Sequence, residues 1–183
     1  MAPLGPLLDL LALERLPRTG WLVAGVSQPE SVAAHSLGVA CCVLGLAPRT
    51  EPALDVDRAV TLALVHDAPE ALLTDLPKRA AELLPAGAKQ VAEARAAQEL
   101  LGPLSDLALR RSEEYRAAET REARFVRLCD KLHLGVRLVG YLRTGVRGLM
   151  EFRAGIEELD CSEFAACEEL RGEILKALEG PFE

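Results

Sequence analysis

The chain has 183 residues and a mass of 19.7 kDa, a length that suits one domain able to bury a core without staples. Leu (34) and Ala (28) dominate, Ile occurs twice and aromatic residues make up 4%, a mixture that favours helices over a sheet. The formal charge of −7, with a pI near 5.1, argues against a broad basic surface for duplex nucleic acid.

The first basic residue is Arg15, so the start of the chain lacks the charged region of a signal peptide. The one long uncharged stretch, residues 31–48, contains His35, two Ser and two Gly, and its continuous apolar part reads as too short to span a bilayer. No membrane partner is expected. The five Cys form no CxxC pair, and Cys41 and Cys42 are adjacent, so all five read as reduced core thiols of a cytoplasmic protein.

Taken in chain order, apolar spacing predicts a helix over 4–16 that stops at Pro17. Residues 18–29 read as a loop, because Gly20, Gly25 and Pro29 interrupt any period. A helix over 30–46 closes before Pro48, and one over 57–66 is apolar on nearly every side, which implies deep burial. Pro69 kinks or restarts it. Further helices are predicted over 78–84, 87–101, 104–118, 120–142, 151–159 and 162–178, with Thr120 and Ser162 as N-caps and Gly180-Pro181 as the final stop. The fold class is therefore all-α: one helical bundle over 1–183, seven to nine helices, no internal boundary.

The most informative window is 62–73, Leu-Ala-Leu-Val-His-Asp-Ala-Pro-Glu-Ala-Leu-Leu, where His66, Asp67 and Glu70 interrupt an apolar helix. A buried unpaired carboxylate costs several kcal/mol, and a divalent cation that takes imidazole nitrogen and carboxylate oxygen together removes that cost. A local alternative is a capping box, with Asp67 as N-cap and Glu70 as its partner. Asp130 lies beside the buried stripe formed by Val126, Cys129, His133 and Val136, and His35 sits mid-helix among Val32, Ala33, Val39 and Ala40. His35, His66, Asp67 and Asp130 together offer two imidazoles and two carboxylates from three helices, a set that suits one divalent ion such as Co, Mn, Mg, Fe or Zn.

The order His35 … His66-Asp67 … Asp130 resembles the HD-domain metal-dependent phosphohydrolases, and more narrowly their 5′-deoxynucleotidase branch. The resemblance rests on Leu16-Pro17-Arg18-Thr19-Gly20-Trp21, Pro29-Glu30-Ser31-Val32-Ala33-Ala34-His35-Ser36, His66-Asp67-Ala68-Pro69-Glu70, Thr74-Asp75-Leu76-Pro77, Ser112-Glu113-Glu114-Tyr115 and the segment Ala123 to Leu132. It spans about residues 13–142; the remainder, 143–183, matches poorly and is assigned to packing or dimer contacts. In the bacterial enzyme an Arg directly precedes the Trp, whereas here Thr19 and Gly20 separate Arg18 from Trp21.

The resemblance implies an HD-domain bundle, commonly a homodimer, that hydrolyses deoxyribonucleoside 5′-monophosphates to nucleoside and phosphate, with Co or Mn supporting activity. It makes His35, His66, Asp67 and Asp130 the metal ligands and has Glu70 handle protons, with Asp75 as its rival. Arg18 orients the phosphate, Trp21 lines the nucleoside side, and Asp75, Leu76, Pro77 and Lys78 contact the sugar. Several of these residues keep an ordinary structural reading. Trp21 also suits a core plug, Lys78 and Arg79 suit helix caps, and His133 suits the core or a place behind the ligands. Glu113, Glu114 and Glu119 read as a solvated face. Rival functions are a phosphodiesterase or alarmone hydrolase on the same scaffold, a non-catalytic metal- or nucleotide-binding protein, and a helical interaction module. The short chain with its Arg-Thr-Gly-Trp loop speaks against the first, and Glu70 with Asp75 against the second.

Overall fold

Four of the long helices begin at a residue whose side chain takes up free backbone N–H groups. In the computed structural model, which describes residues 3–180 apart from the Lys78 side chain, the order is α1 (Leu4–Leu10), α2 (Ala12–Arg15), α3 (Thr19–Val23), α4 (Val32–Leu46), α5 (Val56–Val65), α6 (Glu70–Leu73), α7 (Lys78–Ala81), α8 (Ala88–Leu101), α9 (Asp106–Ala117), α10 (Arg121–Arg143), α11 (Glu151–Glu157) and α12 (Ala165–Glu179). Ser31 caps α4 by accepting from the Ala34 N–H, Asp55 caps α5 through Arg58, Ser105 caps α9, and Thr120 caps α10 through Ala123. No β-strand occurs among the described residues, only an isolated bridge between Pro17 and Ser31.

The 23-residue α10 is the centre of the bundle. One side packs on α4, α5 and α9, the other on α11 and α12. Its Phe125, Val126, Cys129, Leu132 and Leu138 are fully enclosed, while Arg124, Arg127, Lys131 and Arg143 face outward, so apolar residues gather on the faces that meet neighbouring helices. Phe164, Cys167, Ile174 and Leu178 join the same core, so the C-terminal region is part of the bundle rather than an appendage. At Gly135 a side chain would meet Ile174 and Ile156 at 3.0–3.2 Å, so this glycine sets how closely α11 and α12 approach. Two backbone bonds, Arg18 N–H to Glu30 C=O at 2.9 Å and Val32 N–H to Leu16 C=O at 2.9 Å, tie the Arg18 segment to the start of α4.

Several expectations need correction. The predicted 4–16 helix is two pieces joined at Leu11, and the expected loop 18–29 contains α3, which Gly25 ends by turning at φ 90°. The last helix begins at Ala165, not Ser162, because the Ser162 N–H is instead drawn to Asp160 Oδ1 at 3.0 Å. The capping box does not form: α6 begins after Pro69 with no side-chain cap. Helix α5 is not buried all round, since Leu64 faces outward. The count exceeds seven to nine helices because short turns stand as separate elements.

The run Val32–Arg49, with mean hydropathy 1.4 over 18 residues, is long and apolar enough by itself to cross a membrane, contrary to the sequence reading. Here it packs against α2, α5 and α10 and buries His35 and Ser36. Not every thiol is in the core. Cys41 is exposed on the outer face of α4, beside Leu37 and Leu44, and Cys42 is half-buried, whereas Cys129, Cys161 and Cys167 are buried.

Between α6 and α7, Thr74 adopts φ 67° and ψ 165°, a conformation that is essentially reserved for glycine. A β-branched residue held there stores about 1–3 kcal/mol of strain. The strained residue immediately precedes Asp75, whose carboxylate turns back to accept from the Thr19 N–H at 2.5 Å. Replacing Thr74 with Gly relieves that strain, and the gain outweighs the roughly 0.5–1 kcal/mol entropic cost of glycine. Thr74→Gly should therefore raise the midpoint of chemical denaturation; an unchanged or lowered midpoint would show that the threonine sits there without strain.

Candidate active site

Three helices converge on one buried cluster. His35, one turn into α4, places Nε2 3.0 Å from Asp130 Oδ1 of α10 and 3.7 Å from Asp67 Oδ2. His66 follows the last residue of α5, and its Nδ1 lies 2.7 Å from the Ala63 carbonyl. A carbonyl only accepts, so Nδ1 carries the proton and Nε2 is left as the free end. That Nε2 is buried, stands 3.1 Å from Asp67 Oδ2 and makes no aligned hydrogen bond. One ligand atom from each of His35, His66 and Asp130 lies within 4.8 Å of the other two.

These contacts set lone pairs against carboxylate oxygens, which is repulsive unless a proton or a cation lies among them. Two ligand atoms each about 2.1 Å from an octahedral cation stand about 3 Å apart, the spacing seen between His35 and Asp130 and between His66 and Asp67. The donor set, two imidazole nitrogens and two carboxylates, therefore fits a divalent ion.

Charge is distributed unevenly around this point. Burial pushes Asp67 upward, but His66 and Arg18 overcome it and hold the carboxyl at about 2. Asp130 goes the same way: burial is outweighed by Lys131, His35 and His66, and its pKa falls well below the usual range. Burial disfavours a charged His66, yet Asp67 raises its pKa. Glu70 behaves oppositely. Burial, followed by repulsion from Asp67 and Asp75, drives it up to about 9, and its Oε2 is buried with no hydrogen-bond partner. Two acids three residues apart thus hold opposite protonation states at neutral pH.

Arg18 Nη1 stands among three carboxyl groups, 3.2 Å from Asp67, 3.6 Å from Asp75 and 4.0 Å from Glu70. Asp75 is engaged by Arg18 and by the Thr19 N–H. Beside Glu70 a hollow of about 180 Å³ is lined by Leu73, Thr74, Leu76, Leu84 and Lys89. Leu76 and Pro77 are half-buried nearby, while the Lys78 side chain lies outside the described residues.

Trp21 does not face this cluster. Its ring is 2% exposed, packs against Tyr141 and Phe152, and donates through Nε1 to Glu30 Oε1 at 3.3 Å. The nucleoside-lining reading of Trp21 is corrected to that of a core plug: the indole has no free face. Glu114 is likewise no solvated residue, for it accepts from Arg58, Arg111 and Thr120.

Lys131, Tyr115 and Glu30, which have no assigned site role, also surround the cluster, together with His133, which reads from the sequence as a core residue or as one standing behind the ligands. Lys131 Nζ donates to Asp130 Oδ2 at 2.8 Å, and the Tyr115 hydroxyl lies 3.5 Å from the same oxygen. His133 Nδ1 is 3.0 Å from His35 Nδ1, and Glu30, 5% exposed, lies 3.8 Å from that nitrogen. Burial, then the neighbouring His35 and Arg137, lower the His133 pKa to about 4. The one available signal is His133, a polar residue at helical spacing from Val126 and Cys129; Glu30, between Pro29 and Ser31, stands among polar neighbours and gives none.

The HD-domain family model matches residues 12–155, extending past the motif-bearing stretch. The chain is 32% identical over 162 residues to the 5′-deoxynucleotidase hdd1 of Schizosaccharomyces pombe, covering 80% of this chain and 77% of that one. It is 33% identical over 127 residues to the human 5′-deoxynucleotidase HDDC2, where the match spans 67% of this chain and 59% of the relative. A crystal structure from Pyrococcus horikoshii superposes with a TM-score of 0.81 at 34% identity, covering 95% of this chain and 99% of that one, so the helices after residue 145 are shared too. Sequence and three-dimensional course agree, and the chain belongs to the HD-domain family.

Proposed function

We propose that the protein is a metal-dependent phosphomonoesterase that converts deoxyribonucleoside 5′-monophosphates to nucleoside and phosphate. The observation that carries this reading is the buried, unpartnered His66 Nε2 aimed into a cluster with His35, Asp67 and Asp130. The 5′-deoxynucleotidase names of the fission-yeast and human relatives support the substrate class. His35, His66, Asp67 and Asp130 would hold one divalent ion, with Co or Mn as the favoured metals. Such an ion, when bound, lowers the pKa of a coordinated water and offsets charge on the phosphoryl oxygens.

The remaining steps belong to the chain's own side chains. Arg18, with its fixed forked cation, pairs with the phosphate and keeps it in line for attack by water on phosphorus. Glu70 is the better proton donor of the two candidate acids: its elevated pKa keeps the proton on at neutral pH, and its Oε2 is unengaged. As the bond between phosphorus and the 5′-oxygen breaks, that proton passes to the departing oxygen. Asp75 is already committed as an acceptor to Thr19 and Arg18, which suits it to positioning Arg18 and meeting the sugar with Leu76, Pro77 and Lys78. The hollow beside Glu70 offers apolar walls for the nucleoside.

A homodimer is proposed through the outer face of α4, where Leu37 and Leu44 are 62% and 55% exposed. The cytoplasm is proposed as the compartment, in keeping with five free cysteines.

Metal-stripped protein should bind about one equivalent of Co or Mn in calorimetry, and His66→Ala or Asp67→Ala should weaken that binding at least tenfold; a variant binding as tightly as the unaltered protein would overturn the ligand set. Glu70→Gln should lower kcat about 10²- to 10⁴-fold, the range for general acid catalysis. Because the acid is active while protonated, the rate of the unaltered enzyme should decline as pH rises through the Glu70 pKa, and Glu70→Gln should lack that limb. Across a panel of deoxy- and ribonucleoside monophosphates, phosphodiesters and guanosine polyphosphates, phosphate release should favour the deoxy monophosphates; preferred cleavage of diesters or polyphosphates would replace this assignment with one of its rivals.

A further inference from the structure

The chain has three histidines, and the third stands directly behind the first. His35 Nδ1 and His133 Nδ1 are 3.0 Å apart and both rings are buried, so this is a hydrogen bond in which one nitrogen must donate and the other accept. On the reading of His35 as a ligand through Nε2, that nitrogen offers a lone pair and the ring's proton resides on Nδ1. His35 then donates, and His133 must present an unprotonated Nδ1 and carry its own proton on Nε2.

The surroundings are built for this arrangement. Glu30 Oε1 lies 3.8 Å from His35 Nδ1, a negative charge that favours the proton at that position. Glu30 is itself tethered, accepting from Trp21 Nε1 at 3.3 Å and pairing with Arg137 Nε at 3.3 Å. On the far side, His133 Nε2 presses against Gly38, one turn after His35 on the same helix. A Cβ on Gly38 would stand 2.0 Å from that nitrogen and 2.5 Å from the adjoining ring carbons. No side chain other than hydrogen lets the His133 ring occupy its place. Gly38 therefore acts as a notch in α4 that admits a ring from α10.

We propose that His133 is a positioning residue for the metal centre, seated in the Gly38 notch, where its Nδ1 accepts from His35 and so fixes the tautomer and ring orientation of that ligand. This inference rests on the metal-centre reading above. A metal-bound histidine whose other ring nitrogen loses its partner typically loses 10- to 100-fold in metal affinity.

The test compares Zn and Co affinity, by competition with a chelator, in unaltered protein and in His133→Leu, His133→Asn and Gly38→Ala. His133→Leu removes the acceptor while keeping apolar bulk, and should weaken binding 10- to 100-fold. His133→Asn can offer its amide oxygen near the position of Nδ1 and should recover most of the loss. Gly38→Ala, a change that ordinarily favours a helix, should weaken binding as His133→Leu does because the ring is expelled. Nitrogen-15 correlation spectra of the unaltered Zn protein should show His35 protonated at Nδ1 and His133 protonated at Nε2 only; this readout needs no variant to fold. Affinity within twofold of the unaltered protein in folded His133→Leu, or a His133 proton on Nδ1, would overturn the positioning role while leaving the metal centre standing. No metal binding by the unaltered protein would overturn the metal-centre reading and this inference with it.

Discussion

The constraint on which the molecule turns is electrostatic: acceptor atoms carried by three helices meet in the buried interior of the bundle. His66 Nε2 faces Asp67 and His35 Nε2 faces Asp130 at about 3 Å, and such contacts need positive charge among them. Nearby, Arg18 and Lys131 approach the carboxylates. The donor set is of the kind that a divalent cation takes, and the bundle brings its members together. Helices α4, α5 and α10 pack through one apolar core and carry these residues to a common point, and side-chain caps at Ser31, Asp55 and Thr120 define where each of those helices starts.

The same field divides labour among the acids. Asp67 is held low by its cationic neighbours, and its charge then helps to drive Glu70 up. A pair of carboxyls pushed apart in this way sets an ionised acid beside a protonated one within one turn, without any residue type that is unusual in itself. Asp75 is removed from that contest by its bonds to Thr19 and Arg18, and the strained backbone at Thr74 turns the chain to reach them.

Behind the His–Asp cluster lies a second layer whose partners local patterning hides. His133 and Glu30 sit on opposite sides of His35 in sequence, 98 and 5 residues away, and meet only because α10 lies against α4. A lone polar residue in an apolar helix announces that it has a partner but not which one. Trp21 shows the reverse ambiguity. Three residues from Arg18, it turns into the core toward Tyr141 and Phe152 while the guanidinium turns into the site, because α3 starts between them. Glu114, on a helix whose pattern suggests a wet face, is drawn inward by Arg58 from α5.

Helical class, the main helix spans and the candidate quartet His35, His66, Asp67 and Asp130 could be read from the amino-acid order, because apolar period, capping residues and misplaced polar groups are local properties. The short helix α3, the start of α12 and the break at Leu11 were not legible, since they depend on hydrogen bonds that compete over one or two residues. Which face each side chain presents was decided only by packing: Trp21 enclosed, Glu30 and His133 behind His35, Glu70 protonated beside Asp67. The physical reason is that burial and the field of neighbouring charges come from residues distant in the chain, and no local pattern encodes their separation in space.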